Sequence, residues 1–418
     1  MRMNKKKEIV PKLRFPEFIG DKLKITKLGK ISSVVKEKVG ENKYTLMSVT
    51  SGVGLIPQTE KFGREIARDS YKNYIVIRKY DFAYNKSATK QFPEGYISML
   101  GEYDIAAVPN SIFTCFRITG NESYPPFFDY LWHNNYHGHW LRKYIEVGAR
   151  AHGALSVDTK HLWSMPLALP DFKEQQKIAD CLSSIDELID AESRKLKALE
   201  KYKKGLMQKL FPAEGKTLPE WRFSEFQGCG EWKPKSIGKA CKMFSGGTPN
   251  TSKKEFYGGT IPFIRSAEIN KSSTELFITE EGFKNSSAKM VKKGDILIAL
   301  YGANSGEVAL SKIDGAINQA ILCLRHETNN VFVYHYFTHM KNWIISKYIQ
   351  GGQGNLSGQI IKSVNLYFPK AEEQQKIADF LSEIDTMITG QSNKVEQLKA
   401  HKKGLMQGLF PSFEEAGI

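Results

Sequence analysis

Several turns of this 418-residue chain combine arginine, lysine, asparagine, glutamine and serine, the residue types that bind phosphates and the edges of nucleic-acid bases. In the second half they lie in IPFIRSAEI (Ile261–Ile269) and KKGDILIALYGANSGEVAL (Lys293–Leu310). Their counterpart in the first half is RKYDFAYNKSATKQF (Arg78–Phe92). These turns indicate binding chemistry, although each residue taken alone is also typical of a solvated loop.

Motifs of catalytic sites are absent from the sequence, which contains no P-loop, no HExxH and no GxSxG. YPPFFDY (Tyr124–Tyr130) is similar to the Asp/Asn-Pro-Pro-aromatic motif of amino-methyltransferases but lacks its leading Asp or Asn, so we interpret it as a helix start. His133 and His137 have an i, i+4 spacing that can bind metal on a helix, without a Cys or acidic partner nearby. We therefore expect neither catalysis nor a metal site.

The chain is basic, with a net charge of +15, and residues 1–30 hold ten Lys and Arg against three Asp and Glu. Such a balance suits a polyanion such as nucleic acid, with a plain soluble basic surface as the alternative. No apolar run approaches a membrane span, and the N-terminus lacks the apolar stretch of a signal peptide. We expect a cytoplasmic protein that contacts no membrane and has reduced thiols at Cys115, Cys181, Cys229, Cys241 and Cys323.

A long internal repeat organises the chain. Lys173–Pro212 aligns without gaps to Glu372–Pro411, with 24 identical residues in 40 positions. Apolar residues recur in both copies at alternating spacings of three and four, which predicts two coiled-coil helices. The seam is interrupted at Glu192 and Lys203 in one copy and at Gln391 and Lys402 in the other. The predicted helix-pair and partner interface consists of Ile178, Leu182, Ile185, Ile189, Leu196, Leu199, Leu206, Leu210, Ile377, Leu381, Ile384, Ile388, Val395, Leu398, Leu405 and Leu409.

Local signals set the ends of these helices. Asp171 with Glu174 resembles a capping box, and a proline follows each helix. Gly205 and Gly404 each cost about 1 kcal/mol relative to alanine inside a helix, so we expect a kink or a close helix contact there. A helix of about 38 residues spans roughly 57 Å.

Weaker repeats upstream predict two globular units of mixed helix and strand. LRFPEF (Leu13–Phe18) matches WRFSEF (Trp221–Phe226), and LGKI (Leu28–Ile31) matches IGKA (Ile237–Ala240). The predicted strands include YIVI, SIFTCFRI and DILIAL, and the predicted helices cover 127–145 and 332–349. We divide the chain into a globular domain at 1–170, a helix at 171–212, a second globular domain at 213–369 and a helix with tail at 370–418.

Together these motifs resemble the specificity subunit of type I restriction–modification systems. The resemblance is carried by EQQKIA followed by a helix ending in KKGLMQ-LFP, twice, and by SGGTP (Ser245–Pro249), IPFIRSAEI, GDILIALYGANSG and GAINQAIL (Gly315–Leu322). It is weakest in residues 32–150, where SGG, GDIL and AINQ have no close counterpart.

The resemblance implies an α+β fold with two target-recognition domains, separated by two long antiparallel coiled-coil helices and related by a pseudo-two-fold axis. Each domain would read half of a bipartite sequence in double-stranded DNA. The helices would set the spacer and dock two modification subunits, which bind S-adenosylmethionine. Restriction and translocase subunits that use ATP and Mg would join them, while this chain would hold no cofactor and catalyse nothing. A coiled-coil adaptor that binds only protein is the alternative.

The residues that we predict to contact DNA lie in the polar turns and glycine-rich stretches of both halves. They are Lys86, Ser87, Lys90, Gln91, Arg150, His152, Ser245, Thr248, Arg265, Ser266, Glu268, Tyr301, Asn304, Ser305, Gln353 and Asn355. Losing one bidentate base contact of this kind costs about 1–3 kcal/mol of discrimination.

Overall fold

The chain forms two compact units in the computed structural model. Unit 1 comprises Met1–Ala191 with Lys394–Ile418, and unit 2 comprises Glu192–Asn393. Among the described residues, no helix combines the length and apolar character needed to cross a membrane. The described residues are 10–50, 52–66, 70–87, 89, 92–145, 150–151, 154–155, 158–302, 304–348 and 356–411, with the backbone alone at 150–151, 154–155 and 348.

Short strands and helices build the globular part of unit 1. Its described strands are β1 Lys24–Lys27, β2 Ser32–Val34, β3 Met47–Thr50, β4 Gly54–Pro57, β5 Ile75–Arg78, β6 Asp81–Asn85, β7 Tyr96–Met99, β8 Ile105–Val108, β9 Phe113–Ile118, β10 Arg150–Ala151, β11 Ala154–Leu155 and β12 Pro166–Leu169. Its described helices are α1 Leu28–Ile31, α2 Gln58–Phe62, α3 Pro125–His133, α4 Tyr136–Leu141 and α5 Thr159–Trp163.

Unit 2 is built in the same way. Its described strands are β13 Lys233–Ser236, β14 Cys241–Ser245, β15 Tyr257–Ile264, β16 Phe277–Ile278, β17 Lys289–Val291, β18 Ile296–Ala299, β19 Val308–Leu310, β20 Gly315–Ile317, β21 Ile321–His326 and β22 Asn365–Phe368. Apart from the two long helices, its described helices are α7 Ile237–Ala240, α8 Glu280–Lys284, α9 Asn330–Tyr348 and α10 Gly358–Ser363. The long helices are α6 Phe172–Leu210 and α11 Ala371–Leu409, each of 39 residues, and each contributes to both units.

The sheets of the two units have the same strand order. In unit 1 the four-stranded sheet runs β2-β9-β6-β7, and in unit 2 it runs β14-β21-β18-β19. The first strand of each unit pairs antiparallel with its last, as β1 with β12 and β13 with β22. A shared frame is therefore present even in residues 32–150, where the sequence repeat is weakest.

An ion pair between a partly exposed arginine and a buried aspartate marks the equivalence of the two sheets. Asp81 accepts hydrogen bonds from Arg117 Nε at 2.6 Å and from the Arg78 backbone N–H at 2.7 Å. Asp295 does the same with Arg325 Nε at 2.9 Å and with the backbone N–H of Lys292 at 2.7 Å. Both aspartates are nearly inaccessible to solvent.

GDIL has its structural counterpart in residues 80–83, inside the stretch Arg78–Phe92 that the sequence indicates, although the two sequences share only the aspartate. The residue before the aspartate is Gly294 in unit 2, with φ +89°, and Tyr80 in unit 1, with φ +73°. Both have the left-handed conformation, which glycine adopts without the steric cost that a side chain incurs. The turn is therefore the same in both units, although a tyrosine stands in one where the other has glycine.

A second ion pair, which is buried, ties the start of each unit to a long helix. Arg14 donates from Nε and Nη2 to the Glu174 carboxylate at 2.8 and 2.7 Å. Arg222 donates in the same way to Glu373, at 2.6 Å for both bonds. The capping box is half formed, because Asp171 Oδ1 accepts from the Glu174 N–H at 2.7 Å while the Glu174 carboxylate binds Arg14.

Two expectations about helices are wrong. Residues 127–145 do not form one helix, because Asn135 has φ +57° and separates α3 from α4. Gly138 keeps this break compact, since a Cβ there would lie 2.2 Å from Asn135 Oδ1. At Gly205 and Gly404 the long helices continue, and an added Cβ would meet no described atom within 4 Å outside the local helix backbone, so neither glycine marks the expected close contact, while a kink there stays a prediction.

The cores of the two units use the same elements. In unit 1, Phe82 and Phe116 stack at 5.2 Å between ring centroids, in a core that includes Ile178 of α6 and Leu409 of α11. In unit 2, the corresponding core joins Leu210 of α6 to residues 377–384 of α11. Each long helix is therefore packed into a globular core at both ends.

Candidate nucleic-acid interface

Two parallel strands bring two polar motifs of unit 2 to one sheet edge. β15 pairs with β20 in parallel, with Phe263 beside Ala316 and Ile264 beside Ile317. Because the two strands run in the same direction, Arg265 and Asn318, which follow them, lie at the same edge. The motifs IPFIRSAEI and GAINQAIL thus meet where their strands end.

The SGGTP turn lies against the same edge. A Cβ at Gly246 would fall 1.7 Å from the carbonyl oxygen of Ile317, so only glycine permits this approach. Thr248 Oγ1 donates to Gln319 Oε1 at 2.7 Å. Ser245 ends β14 and is half-buried, while Thr248 is exposed. The turn is therefore held directly beside the end of β20.

The turn after β18 reaches this edge as well. The Leu300 N–H donates to the Ala320 carbonyl at 2.8 Å, and Ser305 Oγ donates to the Leu300 carbonyl at 2.9 Å. Tyr301 is 43% exposed, and Asn304 is half-buried. Four polar motifs therefore converge around the segment between β20 and β21.

Arg265 is held by two carboxylates at this edge. Its Nε and Nη2 donate to the Glu268 carboxylate at 3.0 and 3.1 Å, and Nη2 also donates to Glu275 Oε2 at 2.6 Å. These hydrogen bonds raise the pKa of Arg265, first through Glu268 and then through Glu275. The guanidinium therefore stays charged and is held at a partly exposed surface, the arrangement that suits recognition of a base edge or a phosphate.

Glu268 plays a different part from the one that its residue type indicates. It is 3% exposed, which corrects its assignment as a direct DNA contact. Burial by itself raises its pKa, but hydrogen bonds from Arg265 and from the Glu275 backbone N–H outweigh burial and lower that pKa to about 2. Ser266 is half-buried and opens the short turn that ends at Glu268. Glu268 thus holds Arg265 in place.

Unit 1 presents other chemistry at the equivalent position. A parallel bridge joins Leu46 to Ala107, as Phe263 is joined to Ala316 in unit 2, so Ser48 corresponds to Arg265. Lys61 Nζ donates to Ser48 Oγ at 3.3 Å and to the Val49 carbonyl at 3.2 Å. Burial lowers the pKa of Lys61. A lysine on α2 therefore takes the place that an arginine has in unit 2.

The remaining predicted contacts of unit 1 are placed in part. Lys86 and Ser87 are half-buried directly after β6, where Asn85 Oδ1 accepts from the Ser87 N–H at 2.9 Å. Arg150 lies in β10, and its side chain is outside the described structure. Lys90, Gln91 and His152 of unit 1, and Gln353 and Asn355 of unit 2, lie outside the described residues.

Comparison with known proteins identifies the family. The model of the type I restriction modification DNA specificity domain matches residues 65–201 and 230–400. The chain belongs to this family. It is 28% identical over 275 residues to the type I restriction enzyme MjaX specificity subunit of Methanocaldococcus jannaschii, covering 63% of each protein. It is 31% identical over 195 residues to the MjaIX specificity subunit of the same organism, covering 44% of this chain and 45% of that protein.

The chain spans less than two thirds of the length of these curated relatives. Solved structures resemble it in fold over nearly the whole chain. The type I restriction–modification system S subunit from M. genitalium superposes with a TM-score of 0.60 at 16% identity, covering 96% of this chain and 99% of that one. A chain of a type I R-M system described for its complex assembly and conformational transition gives a TM-score of 0.58 at 16% identity. At this identity the likeness shows the fold alone.

The apolar seam of this type I specificity chain serves two purposes. All sixteen predicted seam residues are buried or half-buried. Ile178 and Leu182 belong to the core of unit 1, and Ile377 and Leu381 belong to the core of unit 2. The predicted interface between the helices is therefore also the surface on which the globular domains pack.

The polar interruptions of the seam bind one another. In unit 2, Gln391 Nε2 donates to Glu192 Oε2 at 2.6 Å, and Lys203 Nζ donates to Asp385 at 2.5 Å. Partners of rising number in α6 have falling numbers in α11, so these segments run antiparallel. In unit 1, Lys402 donates to Asp186 at 2.6 Å, the repeat-related partner of the Lys203 contact.

His133 lines a cleft of about 1430 Å³ in unit 1. Its Nε2 is 3.8 Å from Asp129 Oδ2, so the expectation that no acidic residue is nearby is wrong. His137 is buried in α4, beyond the break at Asn135, and burial lowers its pKa to about 4. Among the described residues, no group of three His, Cys, Asp or Glu side chains is arranged to hold a metal.

Sequence reasoning missed three residues of the candidate interface. Gln319 was visible inside GAINQAIL, where its amide could have been added to the candidates. Glu275 gave no signal, because it lies in a turn without a motif. Lys61 gave none either, because it lies on a different element from Ser48, the residue that it contacts.

Proposed function

We propose that this chain is the non-catalytic DNA sequence-recognition subunit of a type I restriction–modification complex. Recognition regions at 1–170 and 213–369 each read one half of a bipartite, asymmetric target in double-stranded DNA. The helices at 171–212 and 370–418 set the spacer and dock two modification subunits. S-adenosylmethionine belongs to those subunits, and ATP and Mg belong to restriction and translocase subunits, all acting in the cytoplasm.

One observation carries this proposal: a repeated frame presents different polar groups at the same edge. The pairs of buried Asp81 with Arg117 and of buried Asp295 with Arg325 hold equivalent strands in both units. At the exposed strand ends, unit 2 offers Arg265 where unit 1 offers Lys61. Direct readout of base pairs requires such differences, because each base pair has its own donors and acceptors in the major groove.

The test is a genome-wide map of N6-methyladenine in cells that express this chain with its neighbouring modification subunit. The matched control expresses the modification subunit alone. We expect a split motif, methylated on both strands and absent from the control. No new methylation beside an active modification subunit would contradict the proposal.

Point variants divide the motif between the units. Arg265→Ala should relax one half of the motif, and Lys61→Ala should relax the other, each by about 1–3 kcal/mol if a base contact is lost. A change in both halves from either variant would contradict the division of labour.

Deletions test the helix pair as a ruler. Removing Ala198–Lys201 together with the repeat-related 397–400 shortens each helix by about 6 Å and about one turn, which keeps the seam on the same face. The spacer should shorten by roughly two base pairs at 3.4 Å each, with the half-sites unchanged. Removing two residues from each helix instead rotates the seam by roughly 200° and should destabilise the pair.

An adaptor that binds only protein is the second candidate. Leu188 and Met387, equivalent positions of the repeat, are 43% and 56% exposed, which suits docking of another protein. Salt dependence separates the candidates, because the logarithm of DNA affinity falls with the logarithm of salt by about 0.9 for each phosphate contact. An adaptor would show no such slope.

A further inference from the structure

Two carboxylates bind the same guanidinium in unit 2, and they differ in exposure. The Glu268 side chain is 2% exposed, whereas the Glu275 side chain is 74% exposed. Glu268 is fixed from behind, since it accepts from the Arg265 and Glu275 backbone N–H groups at 3.2 and 3.1 Å and from Thr274 Oγ1 at 3.2 Å. Glu268 is therefore a fixed positioning residue, and Glu275 is an exchangeable partner in solvent.

We propose that Glu275 is an electrostatic gate on Arg265, which makes a bidentate contact with DNA only by exchanging this carboxylate for an acceptor on the duplex. The inference rests on the proposed function, since it assigns Arg265 to the half-site read by unit 2. Glu268 binds Nε and one N–H of Nη2, so the donors left for DNA are the other N–H of Nη2 and those of Nη1. Glu275 Oε2, at 2.6 Å from Nη2, takes the remaining Nη2 donor, so a contact through Nη1 and Nη2 together requires its release.

The gate adds specificity by favouring the unbound arrangement. At the correct base pair, two acceptors replace the carboxylate, and the charge-assisted bonds are restored. At a wrong base pair, or at a single phosphate, Arg265 loses its hydrogen bond to Glu275 and gains fewer hydrogen bonds from DNA than at the correct base pair. Discrimination then arises from a competing contact inside the protein as well as from the contact with DNA.

The chain provides a matched control for the loss of one negative charge. Glu280 forms an exposed pair with Lys284 in the same unit, at 3.4 Å, with side chains 77% and 74% exposed. Glu280→Gln changes the net charge as Glu275→Gln does, but releases a lysine to which the described residues offer no second carboxylate such as Glu268. General electrostatic effects on DNA binding should therefore be equal in the two variants.

The experiment measures equilibrium binding by the full-length chain with its modification subunit at one fixed salt concentration. The probes are a duplex with the target found by methylation mapping and duplexes with each single base-pair change in both half-sites. The proteins are the unsubstituted chain, Glu275→Gln, Glu280→Gln, Arg265→Ala and the double variant Arg265→Ala with Glu275→Gln.

We expect Glu275→Gln to reduce discrimination at one or two neighbouring base pairs of a single half-site by about fivefold to tenfold, with tighter binding to the mismatched duplexes. Arg265→Ala should lose about 5- to 150-fold at the same position, the range that a lost bidentate contact gives. Glu280→Gln should leave discrimination unchanged, and Glu275→Gln should add nothing when Arg265 is absent.

Equal discrimination in Glu275→Gln and the unsubstituted chain overturns the gate, as does an effect of Glu275→Gln that persists without Arg265. Equal effects of Glu275→Gln and Glu280→Gln also overturn it, by assigning the change to net charge. If the unsubstituted chain discriminates between the target and mismatched duplexes but the Glu275→Gln variants do not behave as expected, only the gate is refuted. If the unsubstituted chain prefers no sequence, the proposed function is refuted as well.

Discussion

Unit 1 and unit 2 differ most where their shared frame ends. Both contain the same four-stranded order and the same pairing of first and last strands. Both bury the arginine–glutamate pair that joins the start of the unit to a long helix. At the sheet edge, by contrast, Arg265 between two carboxylates corresponds to Ser48 beside Lys61.

The comparison teaches which interactions specify the frame. Apolar packing and buried, bidentate ion pairs recur in both units, because they depend on neighbours that are themselves repeated. Exposed strand ends have no such neighbours, so their residues can differ without disturbing the sheet. A sequence repeat therefore survives in the frame and disappears at the candidate interface.

The buried ion pairs give the largest expected effect. Arg14→Ala and Arg222→Ala should each destabilise the protein by about 3–5 kcal/mol, because each leaves an uncompensated carboxylate in a site that is nearly closed to solvent. Chemical denaturation of the full chain measures this. Lys24→Ala, which breaks an exposed pair with Glu122, is the control and should change nothing measurable. Unequal losses in the two units would break the equivalence of the frames.

Buried histidines give the next effect, which depends on pH. Burial, followed by the nearby charge of Lys203, lowers the pKa of His335 to about 3, and neither ring nitrogen has a hydrogen-bond partner among the described residues. Between pH 6.5 and 3 the unfolded chain binds the extra proton, so stability present above pH 6.5 is lost as the pH falls. His335→Leu should remove about 2 kcal/mol of the loss between pH 7 and pH 5.

The corresponding contact in unit 1 makes this test comparative. Asp385 lies 3.9 Å from His335, whereas its equivalent Asp186 accepts a hydrogen bond from Tyr130 at 3.0 Å. Tyr130→Phe should therefore leave the stability difference between pH 7 and pH 5 unchanged. An equal loss of stability between pH 7 and pH 5 in His335→Leu and in the parent chain, measured by denaturant titration at both pH values, would refute the assignment.

The left-handed turns should give a smaller difference. Gly294→Ala should destabilise unit 2 by about 1–2 kcal/mol, because φ +89° is strained for any residue with a Cβ. The cost is backbone strain alone, since the added Cβ meets no described atom within 4 Å. Tyr80→Ala keeps a Cβ in the same conformation and should change stability by less than about 0.5 kcal/mol. Thermal unfolding of both variants checks the pair.

The helix glycines should give the smallest effect. Gly205→Ala and Gly404→Ala should each stabilise the chain by about 0.5–1 kcal/mol, because alanine restricts the unfolded chain and fits the helix. Equal gains would extend the equivalence of the repeat to these positions. A loss of stability in either variant, measured by denaturant titration, would show that the glycine is needed for packing.

The sequence by itself determined the two long helices, their approximate ends and the duplicated frame. The 3.5-residue period, Asp171 and the prolines are local signals, and the observed helices, Phe172–Leu210 and Ala371–Leu409, end within a few residues of the predicted bounds. The predicted helix at 332–349 also corresponds closely to Asn330–Tyr348. Local signals suffice here because a helix satisfies its hydrogen bonds within one segment.

Tertiary structure alone decided the candidate interface. Arg265 meets Glu275 across a turn, Thr248 meets Gln319 across 71 positions, and Lys61 meets Ser48 through the approach of α2 to β3. Strand pairing and register create these contacts, and neither can be read from residue type. The break at Asn135 and the equivalence of Tyr80 with Gly294 have the same cause, because a backbone angle is fixed by the packing around it rather than by the local pattern.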